Sequence, residues 1–527
     1  MIKETPVAAD ETYTTCSFCS VGCTLKLESV GDTLIKAVPD REGAVNRGLA
    51  CGMGKWGFDC AMLEDKLEEP YVKEDGRFRE ADYHEAFVLA AKRCQTVASK
   101  YGKDAVAVAV SDRYTNEEAY AMKKMAEAMG AKVLCLNNRE SGLENVTGLK
   151  ASPNTIDELL STNLILKIGF DENNSRVIDI KIKQASEAGA KVINLCSGEN
   201  SLSFLKEIAK AITDSGKAKK VAGYDEFAAS LADVKVSDRA KEIADAYLGA
   251  KKAMIVYQQN FLTVAGAELV ADIAMISGHI GTPRDGILAI RPKTNSQGLI
   301  DMGITAGAEA LEGVKALIVF GENAPIDTDA LEFLAVCDTH MTELASKADL
   351  VIPGTGFAST NGTFTNTERR LQLVEAAIDE DVLFANWEVA AEIAHVFEVD
   401  FDWADTDDIS DEMADTVPAY KYAQLDEVLG GVLAPTEDAR LVVVEDGPVV
   451  DELPVTDSLM QVIKGALDVF KGKEVEYTVE KKSTGVSVSQ AQIEEKEIKF
   501  GYCTEFIILL EKPMSEETEH DFKEFLM

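Results

Sequence analysis

The residues best suited to chemistry in this sequence are four cysteines near its start. Cys16, Cys19 and Cys23 follow the spacing C-x2-C-x3-C, and Cys51 comes after a separate segment. Four thiolates can ligate an iron-sulfur cluster or a structural zinc ion. Zinc knuckles usually pair their cysteines two by two, whereas a compact trio with one distant ligand suits a cuboidal cluster. The spacing therefore favours one [4Fe-4S] cluster, with zinc as the alternative.

A small β unit must carry these cysteines. Residues 24–28 and 33–38 alternate apolar and polar side chains on either side of Gly31-Asp32, which is the pattern of a β-hairpin. The hairpin lies between the trio and the fourth cysteine. Residues 1–60 are therefore predicted to form a β-rich [4Fe-4S] cluster domain, and Trp56, which closely follows the last ligand, is expected to shield the cluster.

Helix and strand patterns alternate through the middle of the chain. Residues 83–101 have helical periodicity, residues 104–110 have the pattern of a buried strand, and residues 115–129 form a helix with a capping box. Such βαβ alternation predicts doubly wound parallel sheets with helices on both faces. Further strand patterns lie at 132–136, 163–170, 191–195, 253–257, 316–320 and 334–338.

The strand ends show where a cofactor cleft is expected. In doubly wound sheets, ligands bind beyond the carboxyl ends of the strands. Residues 169–171, 258–260 and 321–323 follow three of the predicted strands. They are therefore predicted to mark the rim of any cofactor cleft.

The fold class expected from these patterns is α/β, and the chain is divided into four parts. A length of 527 residues fits three or four domains. After the cluster domain, residues 61–105 and 315–400 are assigned to one α/β domain, and residues 106–314 to a second that interrupts it. Residues 401–527 are assigned to an acidic, solvated linker and a short α+β tail, which ends in an apolar run at 506–510.

The composition excludes two classes of partner. Ninety-one acidic residues against 53 basic ones give a net charge of -38, so no basic face for nucleic acid or an anionic membrane is expected. No apolar run reaches the roughly 18 residues that a membrane span needs. No export signal is expected at the start, and the six other cysteines are scattered singly, so we predict a cytoplasmic protein.

Four stretches of the sequence carry the motifs of one protein family. They are the cysteine motif with G-L-A-C-G-M-G at 48–54, R-x-x-x-N-x-Q-G-x-x-D-M-G at 291–303, E-L-A-S-K-A-D-L-V-I-P at 343–353 and N-G-T-F-T-N-T-E-R-R at 361–370. In these stretches the chain resembles the molybdopterin oxidoreductases, which include formate dehydrogenase, nitrate reductase and the large iron-sulfur subunit of respiratory NADH dehydrogenase. The resemblance extends to about residue 398, and it implies a [4Fe-4S] cluster on the four cysteines.

Three positions that serve molybdopterin guanine dinucleotide in this family differ here. The metal ligand usually follows the second strand of the α/β region, but Cys135 lies within that strand and residues 137–143 offer no thiol. Met53 stands where the family often has a lysine between cluster and pterin, and 194–198 reads N-L-C-S-G in place of D-P-R-x-T. Arg291 does match an arginine near the metal in formate dehydrogenases. These differences disfavour the pterin cofactor.

The resemblance and these differences together predict a function. The chain is expected to be an iron-sulfur electron-transfer and scaffold subunit of a soluble NAD(P)H- or ferredoxin-linked oxidoreductase complex, without an active site of its own. Flavin- and iron-sulfur-containing redox subunits would be its partners in a hetero-oligomer. One alternative is a catalytic molybdenum- or tungsten-pterin oxidoreductase of formate dehydrogenase type. The other is a zinc-stabilised assembly scaffold.

The cysteine assignment predicts the effect of removing one ligand. Cys19→Ser should bleach the broad visible absorption of the protein purified without oxygen, because that absorption comes from charge transfer between thiolates and iron. Cys94→Ser, which changes a cysteine outside the motif, should leave the spectrum unchanged. A colourless wild-type protein that contains one zinc ion would contradict the assignment.

Overall fold

The structure is a computed structural model that describes residues 10–62, 65–137, 142–170, 175–195, 202–259 and 261–445. It confirms the α/β fold class, with a small β-rich unit at the start followed by parallel sheets. Most of the predicted tail, including the apolar run at 506–510, lies outside the described residues. No helix of the described ranges is long and apolar enough to cross a membrane.

The N-terminal unit is a three-stranded antiparallel sheet of β1 (Asp10–Thr15), β2 (Thr24–Val30) and β3 (Thr33–Pro39). The predicted hairpin is confirmed, since β2 and β3 pair antiparallel across Gly31-Asp32. Alternate residues of β2 are buried, as expected for a sheet with one face on a core. A short helix, α1 (Gly52–Trp56), begins directly after Cys51.

The rest of the described chain contains thirteen further strands and twelve further α-helices. The strands are β4 (Tyr71–Glu74), β5 (Arg77–Glu80), β6 (Val106–Val110), β7 (Lys132–Leu134), β8 (Leu164–Lys167), β9 (Lys191–Asn194), β10 (Ala253–Gln258), β11 (Gly286–Ile290), β12 (Ala316–Phe320), β13 (Phe333–Asp338), β14 (Leu350–Pro353), β15 (Gly362–Thr365) and β16 (Leu371–Val374). The helices are α2 (Tyr83–Tyr101), α3 (Asn116–Met129), α4 (Leu143–Thr147), α5 (Arg176–Glu187), α6 (Leu202–Asp214), α7 (Tyr224–Ser230), α8 (Asp238–Gly249), α9 (Val264–Ser277), α10 (Ser296–Asp301), α11 (Glu343–Lys347), α12 (Asn386–Val396) and α13 (Thr406–Thr416).

Two sheets form the α/β body. The larger has the order β5-β4-β14-β13-β12-β6-β7, parallel from β14 to β7, with β4 antiparallel to β14. The smaller has the order β11-β10-β8-β9 and is entirely parallel. Strands β6, β10, β12 and β13 are buried along their whole length, because helices and loops cover both faces of a parallel sheet.

The larger sheet includes β6 and β7, which the sequence analysis assigned to the other α/β domain. Residues 106–314 were expected to form the second α/β domain, yet β6 pairs with β12 and β7 pairs with β6 in the larger sheet. The division between the sheets therefore lies after Leu134. The predicted boundary was wrong because an apolar strand such as β6 is stable only between two neighbouring strands. One of these neighbours, β12, lies far along the chain, so the sequence near β6 does not show which sheet it joins.

The acidic run at 400–408 leads into a packed helix and is not a linker, although its five aspartates are exposed to solvent as the sequence predicted. Asp405 is the N-cap residue of α13. Its side chain accepts hydrogen bonds from the backbone N–H groups of Asp407 (3.0 Å) and Asp408 (3.2 Å). Trp403 stacks on Phe401 with ring centroids 4.3 Å apart, and Ile409 is fully buried. Acidic side chains at a helix N-terminus satisfy free N–H groups and complement the helix dipole, so part of this charge has a structural role.

The capping box of α3 yields a prediction for stability. Thr115 Oγ1 accepts a hydrogen bond from Glu118 N (3.2 Å), and Glu118 Oε2 accepts one from Thr115 N (2.8 Å). Thr115→Ala should lower the free energy of unfolding by about 1 kcal/mol, the usual loss for an N-cap, as measured by urea denaturation. Thr96→Ala, in the exposed interior of α2, is the matched control. An equal loss in both variants would contradict the role of the cap.

Candidate iron-sulfur site and adjoining cavities

The structure brings the four cysteines of the motif around one cavity, which we call the cluster cavity. It has an empty volume of about 330 Å³ and is lined otherwise mainly by apolar side chains and by Arg176. Cys16 and Cys23 are buried, while Cys19 and Cys51 are half-buried. Four sulfurs around an apolar cavity form a donor set that fits a cuboidal cluster.

The four cysteines line the same cavity. Among the described residues, no group of three or more His, Cys, Asp or Glu side chains is arranged to hold a metal ion. A cuboidal cluster distributes its ligands over four separate iron atoms, whereas a zinc ion draws its four ligands to a single centre.

The segment from Cys16 to Cys23, which we call the ligand loop, is closed by its own backbone and by one side chain. Cys16 N donates a hydrogen bond to Cys23 O (2.8 Å), and Gln372 Nε2 donates one to Gly22 O (2.9 Å). Gly22 has a φ of +72°, and a Cβ at this position would collide with the Gln372 side chain. Both the turn and the close approach therefore require glycine here.

Two distant segments of the α/β body anchor the ligand loop. Thr294 Oγ1 donates a hydrogen bond to Cys16 O (3.1 Å), and Asn366 Nδ2 donates one to Val21 O (3.0 Å). Both anchoring residues lie in stretches that carry the family resemblance, and both are fully buried. From the sequence these stretches were only markers of a family, because nothing local shows that they contact the loop.

The fourth cysteine is positioned by a buried asparagine that the sequence analysis missed. Asn46 Nδ2 donates to Leu49 O (2.8 Å) and Thr24 O (3.1 Å), and its Oδ1 accepts from Thr24 N (2.9 Å). These bonds fix the segment that leads to Cys51 against β2. Trp56, expected to shield the cluster, is 64% exposed and so does not enclose it.

The electrostatic setting of the thiols depends on burial and on two cations. Burial, reinforced by the neighbouring thiols, raises the pKa of Cys19 to about 12 and raises the pKa values of Cys16 and Cys23 above the usual range as well. Arg113 opposes this rise at Cys16 and Cys19, and Lys181 opposes it at Cys23. Thiolates in this cavity therefore need positive charge, which bound iron and these side chains can supply.

A larger cavity, which we call the strand-end cavity, lies beside the ligand loop. Its empty volume is about 790 Å³, and it is lined by Ser17 and by residues that follow β12, β13 and β14. Gly321, at the predicted cofactor rim, is one of them. The position at the carboxyl ends of parallel strands is typical of ligand pockets.

Several buried polar groups face the strand-end cavity. Burial raises the pKa of Glu118 to about 7, although its carboxylate accepts hydrogen bonds from Thr115 and Asn386. Ser17 Oγ and His340 Nε2 are buried and have no hydrogen-bond partner within the described ranges. The cavity therefore offers unused donors and acceptors next to the ligand loop.

A smaller cavity surrounds Arg291, the residue that the resemblance places near a metal. Its empty volume is about 240 Å³, and Cys135 and Asn137 also line it. The guanidinium is bound to protein groups: Nε donates to Gln297 (3.1 Å), Nη1 donates to Gln259 (2.6 Å), and Nη2 donates to a backbone carbonyl. Three donors of the guanidinium are therefore already engaged by acceptors of the protein.

Buried ion pairs close the region next to Arg291. Lys293 Nζ lies 3.5 Å from Asp112 Oδ1 and 3.3 Å from Glu322 Oε1, and Asn137 Nδ2 donates to Glu322 Oε1 (2.8 Å). These residues follow strands β6, β7, β11 and β12, so they meet where the strand ends of both sheets converge. Residues 138–141 and 196–201 include positions at which the sequence differs from the molybdenum-containing members of the family. They lie outside the described residues.

Known proteins resemble this chain over most of its length. The probable oxidoreductase YjgC of Bacillus subtilis is 24% identical over 509 residues, which cover 78% of this chain and 51% of that protein. The alpha subunit of F420-dependent formate dehydrogenase 2 of Methanococcus maripaludis is 27% identical over 510 residues, 77% of this chain and 74% of that subunit. Formate dehydrogenase H of Escherichia coli is 24% identical over 534 residues, covering 81% and 74%. The chain thus spans about half the length of YjgC and about three quarters of the two formate dehydrogenases.

A solved structure supports the fold. Acetylene hydratase from Pelobacter acetylenicus superposes with a TM-score of 0.61 at 14% identity, and the match covers 81% of this chain and 77% of that one. At this identity the likeness concerns the fold alone.

Two family descriptions match the chain, and together they account for its first three quarters. Residues 9–60 match the molybdopterin oxidoreductase Fe4S4 domain, which includes all four cysteines of the cluster cavity. Residues 66–394 match molybdopterin oxidoreductase, which includes both anchoring segments and the strands of both sheets. The chain therefore belongs to the molybdopterin oxidoreductase family.

Proposed function

We propose that this chain is an iron-sulfur electron-transfer and scaffold subunit of a multisubunit, cytoplasmic oxidoreductase complex linked to NAD(P)H or ferredoxin. One observation carries the proposal: four cysteines line a cavity in the Fe4S4 domain, while the charged side chains at and next to Arg291 are bound to other protein groups. In this proposal Cys16, Cys19, Cys23 and Cys51 hold one [4Fe-4S] cluster.

The hydrogen bonds and ion pairs at Arg291 and Lys293 support a role without substrate chemistry at Arg291. The Arg291 guanidinium donates hydrogen bonds to three protein acceptors, and Lys293 forms ion pairs with the carboxylates of Asp112 and Glu322. Opening this region for a cofactor would leave buried charges without partners, which is costly. The same residues brace the two sheets against each other, which is what a scaffold requires.

Electrons must reach the cluster from another subunit, and one face is suited to that exchange. Cys19 and Cys51 are the more exposed ligands, and Trp56 and Lys55, in the helix that follows Cys51, are exposed. An exposed tryptophan near a redox centre is a typical contact residue of an interface. We place the docking of a flavin- or iron-sulfur-containing subunit at this face.

The alternative function is catalytic. The strand-end cavity lies at the carboxyl ends of parallel strands, where ligands bind in such sheets, and adjoins the ligand loop. Two of the relatives are formate dehydrogenases by name. These observations favour, as a second candidate, a molybdenum- or tungsten-pterin oxidoreductase of formate dehydrogenase type.

Metal analysis of protein purified without oxygen from its native source separates the candidates. The proposal expects about four iron and four sulfide per chain, with molybdenum and tungsten well below one. Molybdenum or tungsten in stoichiometric amount would replace the proposal by the catalytic alternative. One zinc ion without iron would indicate the assembly scaffold.

The docking face is tested by Trp56→Ala in a tagged chain recovered from the native source. We expect less co-purified flavin and iron per chain, because an exposed aromatic anchor is lost. Tyr422→Ala removes another exposed aromatic residue, in the segment after α13, and is the matched control. Equal flavin and iron content in wild type and Trp56→Ala would place the partner elsewhere.

A further inference from the structure

Arg113 connects the α/β body with the ligand loop. We infer that Arg113 is a positioning residue that raises the reduction potential of the cluster, and that it provides the cation that Met53 cannot provide. This inference rests on the proposed function, since it requires that the four cysteines hold the cluster.

The geometry places the guanidinium against the ligand loop. Arg113 lies between β6 and α3, and its Nη1 donates hydrogen bonds to Ser17 O and to Phe18 O (3.1 Å). Both carbonyls belong to the segment between the first two ligands. Arg113 and Ser17 also line the strand-end cavity. The cation therefore lies between the ligand loop and that cavity.

The charge of Arg113 acts on the redox equilibrium. A cluster gains one negative charge when it takes up an electron, and a nearby positive charge stabilises the reduced form more than the oxidised form. The guanidinium is half-buried, where the effective dielectric constant is lower than in water and the effect is larger. The lowering influence of Arg113 on the pKa values of Cys16 and Cys19 has the same electrostatic origin.

Two other cations lie near the ligands: Arg176, at the start of α5, lines the cluster cavity, and Lys181 is offset by a carboxylate. Lys181 acts on Cys23, but its Nζ lies 2.6 Å from Asp157 Oδ1, so the pair presents little net charge to the cluster. Met53, in α1, carries no charge. In the family the cation often comes from the cluster domain itself, whereas here the α/β body supplies it.

The test is a redox titration of the cluster, monitored by electron paramagnetic resonance, in wild type and three variants. Arg113→Gln should lower the equilibrium constant for reduction at least tenfold, which is 59 mV for a one-electron couple. Arg113→Lys keeps the charge and should shift the potential by less than half as much. Arg93→Gln removes an arginine from α2, which packs on the larger sheet away from the loop, and should leave the potential unchanged.

Each outcome decides the inference. An intact cluster with an unchanged potential in Arg113→Gln, or equal shifts in the Gln and Lys variants, would overturn it. If Arg113→Gln loses its iron, Arg113→Lys decides the question. Iron-loaded Arg113→Lys with a potential close to wild type supports the role of charge. Loss of iron in Arg113→Lys as well refutes the inference. Wild-type protein that lacks iron overturns the proposed function itself.

Discussion

The structure depends on the hydrogen bonds that hold the ligand loop on the α/β body. A short loop that presents three thiols to one cavity leaves its own carbonyl groups without partners. Side chains such as Thr294, Asn366 and Gln372 bind these carbonyls, and all three are buried. Because a buried carbonyl without a partner is costly, the small β domain and the α/β body stabilise each other.

These contacts give two segments of the family a role that requires no pterin. The stretches at 291–303 and 361–370 anchor the loop, and the first also contributes Arg291 and Lys293 to the network of polar contacts between the sheets. A chain that changed its chemistry while it kept its cluster would still need these residues. Their presence alone therefore does not distinguish a catalytic subunit from a relay subunit.

Local features were readable from the sequence, and distant ones were not. The cysteine spacing, the hairpin around Gly31-Asp32 and the capped helix α3 each depend on neighbours within a few residues. The sheet that contains β6 depends on β12, and the contact of Arg113 with the ligand loop joins positions 95 residues apart. Likewise, the exposure of Trp56 depends on how the domains pack, and the pattern of apolar and polar residues along the sequence does not predict that packing.

The distance along the chain between the loop and its anchors also sets an order of events during biosynthesis. Asn366 binds Val21 across 345 positions, and Thr15 Oγ1 donates to Leu373 O across 358. The ribosome must therefore complete most of the chain before the first cysteines reach their final geometry, and contacts of such high sequence separation form slowly. In the proposed function, cluster insertion is consequently a late step, and a chain released early by the ribosome would expose its thiols to oxidation.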